Sequence, residues 1–102
     1  MISMLATSFA WPDWKDGDRC KWSDDCDYEG HDLHSRQSRG EECGGICADY
    51  INCTHFVWTE WNGGTCWLKR GHDLQPKRSN GYSVCGYVQR KYIVTVCCNG
   101  SV

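Results

Sequence analysis

Nine cysteines, Cys20, Cys26, Cys43, Cys47, Cys53, Cys66, Cys85, Cys97 and Cys98, carry most of the chemistry in this chain. Thiols at that density either hold a metal or pair with one another. A structural zinc site gathers four ligands on one tetrahedral ion and is usually written as closely spaced pairs such as Cys-x-x-Cys, sometimes with histidines at matching offsets. No Cys-x-x-Cys occurs, and His31, His34, His55 and His72 follow no finger spacing. The same spacing argues against a Cys-x-x-Cys redox centre. At 102 residues the chain is one domain, near the size at which apolar burial alone gives modest stability, so the cysteines are expected to form disulfides in an oxidising, extracellular setting.

Other reactive groups offer less. No Ser-His-Asp or Cys-His arrangement can be named from spacing, so no catalytic residues are expected, nor a cofactor. The acidic run Asp24, Asp25, Asp27, Glu29 and Asp32 has the oxygen ligands that calcium prefers, but lacks the EF-hand loop pattern and reads first as a solvated loop. The basic group Lys69, Arg70, Lys77 and Arg78 suits an acidic polysaccharide or acidic protein, or a plain solvated face. Net charge is −2 and no basic stripe runs the chain, which disfavours nucleic acid.

Charge is uneven. Residues 1–50 hold 11 acidic and 5 basic side chains and residues 51–102 hold 2 and 6, a balance of −6 and +4. Either two solvated faces or a dipolar subunit that attracts its neighbour would follow. Two N-glycosylation sequons, Asn52-Cys53-Thr54 and Asn99-Gly100-Ser101, fit the secretory route; Asn99 in its polar tail is the better acceptor, because Cys53 is a candidate half-cystine. "MISMLATSFAW" lacks a basic n-region and its apolar run is short, so either a signal was removed upstream or Met1 is internal to a longer precursor. No stretch approaches the length of a membrane span.

The elements that must position these groups follow from local pattern. Residues 1–25 read as an irregular arm, with Pro, Gly and Asp punctuation among tryptophans. "SRGE" from Ser38 has the Ser-x-x-Glu form of a capping box, and Cys43 and Cys47, four apart, share one face of the helix it would start. Gly44 and Gly45 weaken that helix by about 1 kcal/mol each, so it depends on its bridges. "THFVWTE" and "TCWLK" flank Asn62-Gly63-Gly64 as a hairpin. Alternation puts Phe56 and Trp58 on one face of its first strand and Cys66 and Leu68 on one face of its second. If Cys66 bridges to the helix, that face is core, Trp67 and Lys69 point outward and Trp61 lies at the turn. Trp67 is then a ligand platform or packs against a terminal arm. "YSVCGYV" and "YIVTVCC" are further β-rich runs.

At this point "CDYEGHDL", "GEECGGICADYINCTHFVWT", "GGTCWLKRG" and "SVCGYV" resemble the PAN/Apple family, in the variant that begins with Cys-Asp and a Gly-x-Asp-Leu turn. The resemblance spans Cys26 to Val88, and so implies an amino-terminal arm (1–25), a PAN/Apple-like domain (26–88) and a carboxy-terminal strand and tail (89–102). It implies an α+β, disulfide-rich fold, an antiparallel sheet with one helix packed across it. It also implies the pairing Cys43 with Cys66, Cys47 with Cys53, and Cys26 with Cys85. Cys20, Cys97 and Cys98 fall outside the pattern. Adjacent Cys97 and Cys98 have α-carbons about 3.8 Å apart, below the usual disulfide window, and such neighbours rarely bridge to each other. Cys20 can pair with one of them, leaving the other as a free thiol or an intermolecular link.

The expectation is a secreted, non-catalytic module that recognises a glycan or an extracellular protein. Trp61 and Trp67 would stack on the ligand, with Lys69, Arg70 and Tyr82 at the edge. The alternative is an extracellular structural subunit that assembles head-to-tail into a homo-oligomer or fibre through "MISMLATSFAW" and "YIVTV".

Overall fold

The computed structural model describes residues 11–72, 74–79 and 81–89. Its framework is one six-stranded antiparallel sheet, β1 (Lys15–Gly17), β2 (Cys20–Asp24), β3 (Asp32–Gln37), β4 (His55–Thr59), β5 (Thr65–Lys69) and β6 (Ser83–Val88), with a helix, α1 (Cys43–Asp49), against one face. The spatial order is β1-β2-β6-β4-β5-β3. This is the α+β, disulfide-rich architecture that the resemblance implies.

The hairpin forms where Asn-Gly-Gly places it. Asn62, Gly63 and Gly64 all have positive φ, and Gly64 at +119° also lies where a Cβ would come within 2.7 Å of the Ser38 carbonyl oxygen. Only glycine satisfies both conditions. The register sets Phe56 opposite Leu68 and Trp58 opposite Cys66. All four belong to the cluster beneath α1, together with Cys20, Cys43, Cys47 and Cys53, so the predicted facing holds.

The capping box lies one residue later than the Ser38 reading, and the α-helix itself begins only at Cys43. The Glu42 carboxylate, not that of Glu41, accepts the Arg39 backbone N–H at 3.1 Å, and a 3-10 turn over Gly40–Glu42 leads into α1. Ser38 instead donates its hydroxyl to the Arg39 carbonyl. Seven residues containing two glycines are too few for a stable isolated helix. The Cys43–Cys66 and Cys47–Cys53 disulfides tie α1 to β5 and to the following turn. Gly44 has a packing role as well, because a Cβ there would lie 2.3 Å from the Cys20 sulfur. The helix costs propensity at Gly44 to approach β2 closely.

Two expectations change. Residues 15–24 are not an irregular arm: they form the β1–β2 hairpin, and β2 pairs along its length with β6. The sheet face away from α1 is not solvent-exposed either. Cys26, Tyr28, Val57 and Cys85 are buried there, with Trp11, Trp14, Trp67 and Leu74 packed on them, and the Cys26–Cys85 disulfide pins the covering loop to β6. All three implied disulfides are present. Cys20 is buried and has no disulfide partner among the described residues; Cys97 and Cys98, like "YIVTV", Asn99 and residues 1–10, lie outside them.

The uneven charge is met inside the subunit. Asp25 pairs with Arg78 at 3.1 Å, Glu29 with Lys77 at 3.1 Å and Asp32 with Lys69 at 2.6 Å. Arg78 also lies 4.5 Å from the Trp11 ring centroid. Three members of the acidic run and three of the basic group thus meet within the subunit.

Candidate functional site

The β4–β5 hairpin brings two indoles side by side, one on its turn and one on β5. Trp67 is set by the strand, and its indole N–H donates to the Thr59 hydroxyl at 2.9 Å. Trp61 sits on the turn, whose backbone is fixed when the Thr65 hydroxyl donates to the Trp61 carbonyl at 2.8 Å, while Gln37 donates to the Asn62 carbonyl. The ring centroids are 5.8 Å apart and tilted by 45°. Trp61 is 64 % exposed.

Beside this pair is a cleft of about 490 Å³ into which Asp27, Glu29, Thr59, Trp61, Trp67 and Lys69 project or border. Both carboxylates come from the loop between β2 and β3. Lys69 forms part of the lining but is only 5 % exposed, and its ammonium donates to the Gly30 carbonyl at 2.9 Å and to Asp32 at 2.6 Å. Strand alternation puts Lys69 on the face away from the helix, as predicted; the loop over that face then makes it a strut instead of a free cation. Trp67 is half-buried for the same reason.

Of the five candidate ligand residues, the fold therefore gathers Trp61, Trp67 and Lys69. Arg70 is exposed but does not line this cleft, and its backbone N–H donates to the His31 carbonyl. Tyr82 lies across the sheet, lining a second cleft on the helix side. Asp27 and Glu29 join the site through the loop's path. The sequence shows both only as members of an acidic run, with nothing to mark where that run crosses Trp67. Asn52 is exposed, with φ of +71°, while the Thr54 hydroxyl of its sequon accepts the Gly71 N–H at 3.0 Å. Among the described residues no group of three or more His, Cys, Asp or Glu is arranged to hold a metal ion, and no helix is long and apolar enough to cross a membrane.

His55 lies under the same face, 3 % exposed, with its Nδ1 2.8 Å from the Thr54 hydroxyl and its ring edge-to-face with Tyr28. Burial lowers its pKa from 6.5 to about 4, aided by the Lys69 ammonium and His31 and opposed by Asp32. Protonation therefore favours the unfolded chain. The contribution of neutral His55 is complete above about pH 6.5, falls as the pH drops toward 4, and levels off below that. Thermal midpoints measured across this window should decline in the wild type and decline less in His55→Gln. Parallel curves would show that His55 does not titrate there.

Residues 26–69 match the family model of the PAN domain. No curated protein and no solved structure matched the chain. The matched segment runs from the first cysteine of the Cys26–Cys85 disulfide to the end of β5, and so contains α1, the hairpin and both halves of the Trp61–Trp67 cleft. PAN domains are generally non-catalytic modules that mediate protein or carbohydrate interactions, and such disulfide-rich domains are typical of extracellular proteins.

Proposed function

We propose that this chain, PAN-like over residues 26–69, is a secreted, non-catalytic recognition module that binds carbohydrate at the Trp61–Trp67 cleft. The observation that carries this reading is the position of Trp61. A large indole kept in water on a hydrogen-bonded turn, beside a second indole and a cleft that two carboxylates also line, adds little to the core and much to a contact surface. The C–H face of a pyranose matches an indole face, and the Asp27 and Glu29 oxygens can accept hydrogen bonds from its hydroxyls.

Charge narrows the ligand. The Lys69, Lys77 and Arg78 cations are engaged by Asp32, Glu29 and Asp25, so a neutral sugar suits the cleft better than a sulfated one. Trp61→Ala should lower affinity for a neutral glycan by about tenfold or more, with no change in thermal midpoint. Trp67→Ala is a less clean probe, because Trp67 also packs on the buried cluster. Failure of the wild type to bind any member of a neutral-glycan array, or equal binding by Trp61→Ala, would sink the proposal.

A further inference from the structure

Among the described residues, the sheet face that carries α1 is only partly covered. A seven-residue helix is about 10 Å long, whereas six strands spaced by about 4.8 Å span about 24 Å. Beside the helix lies a cleft of about 600 Å³, within the range of about 300–1,000 Å³ typical of small-ligand sites. Its walls are aromatic, with Trp22 from β2, Phe56 and Trp58 from β4, and Tyr82 ahead of β6. Among the described residues, Asp18, Asp24 and Glu41 are the charged ones that line it, with no lysine, arginine or histidine.

The chain itself shows how this wall receives a cation. The Lys15 ammonium lies 5.0 Å from the Trp22 ring centroid, 3.8 Å from the Asp24 carboxylate and 3.5 Å from that of Asp13. An ammonium so placed is attracted by the indole quadrupole and by the carboxylates together. Asp18 and Glu41 are already paired with Arg19 and Arg39 at the surface. Asp24 is the better anchor, since its rival cation is the longer and weaker contact from Lys15, and the exposed Tyr82 hydroxyl lies 3.5 Å from its other oxygen.

We propose that this cleft binds a small organic cation, an amine on an apolar or aromatic body. The body lies against Trp22, Trp58 and Tyr82, above the buried Phe56, and the ammonium meets Asp24 in competition with Lys15. A neutral analogue keeps the apolar contact and loses the charge; an anionic one meets three carboxylates. The site is on the opposite face of the sheet from Trp61 and Trp67 and does not depend on the carbohydrate reading.

The test titrates the whole chain with phenethylamine, 2-phenylethanol and 3-phenylpropanoate while following the tryptophan indole N–H resonances by NMR. Phenethylamine should shift those of Trp22 and Trp58, leave Trp61 and Trp67 in place, and bind about tenfold more tightly than 2-phenylethanol. Asp24→Asn should abolish that preference. Lys15→Met should strengthen phenethylamine binding several-fold, because the internal competitor is gone; both residues are at the surface, so both variants should fold. The proposal is overturned if no probe binds, if the alcohol or the acid binds as tightly as the amine, if the shifts appear at Trp61 and Trp67 instead, or if Lys15→Met weakens binding.

Discussion

Replacing Cys26 and Cys85 together with alanine is expected to cost about 4 kcal/mol, against about 3.5 for the Cys43–Cys66 pair and about 2 for Cys47–Cys53. The order follows the length of chain that each bond closes, with sequence separations of 59, 23 and 6. A cross-link removes conformations from the unfolded ensemble, and a longer loop has more of them to lose. Cys26–Cys85 also anchors the loop that buries Tyr28 and Val57. Against a total stability of about 5–15 kcal/mol for a small domain, its loss removes from about a quarter to most of the margin. Urea unfolding of the three double-alanine variants measures the order directly. If Cys47–Cys53 proved the most costly to remove, local packing around α1 would outweigh loop closure.

Phe56→Ala is expected to cost about 3–5 kcal/mol. The ring is 1 % exposed and fills the space between α1 and the centre of the sheet. Its neighbours on two sides are glycines: a Cβ on Gly44 would lie 3.3 Å from the ring tip and one on Gly86 2.4 Å from it. Neither has a side chain to relax into the vacated volume, which puts the cost toward the upper end of the range. Phe56→Leu, which keeps most of the volume, should recover most of the loss. Chemical denaturation within about 1 kcal/mol of wild type for Phe56→Ala would mean that the helix face is not the main core.

What could be read in advance divides along physical lines. The β4–β5 hairpin was legible because Asn62-Gly63 specifies the turn and alternation sorts the side chains into two faces, both local effects; which face is core followed from the Cys43–Cys66 pairing that the resemblance implies. The three disulfide pairs followed from the resemblance alone, since spacing cannot select among the possible connectivities. The β1–β2 hairpin was missed because "KDG" and "CKWSD" have little strand propensity of their own; β2 is a strand through its pairing with β6, sixty or more residues away. The capping box slipped by one residue because Glu41 and Glu42 are adjacent and only the turn geometry chooses between them. Lys69 shows the limit most clearly. Alternation gave its face, but its burial comes from a loop around Gly30 and Asp32 with no periodicity to announce its path. For the same reason the acidic run and the basic group could be described but not joined.

The strand order has a consequence for how the protein is made. β6, the last of the described strands, lies between β2 and β4 and is the link that joins them. During synthesis the β1–β2 hairpin can form early, and β3, β4 and β5 can assemble beside α1, yet no strand pairing joins the two, and β2 and β4 each keep an open edge, until residues 83–88 emerge. Cys26 waits over the same interval for Cys85. The nascent chain therefore depends on its final described strand to close both the sheet and its longest covalent loop, and a ribosome stalled before that point would hold a partly oxidised intermediate with two unpaired edges.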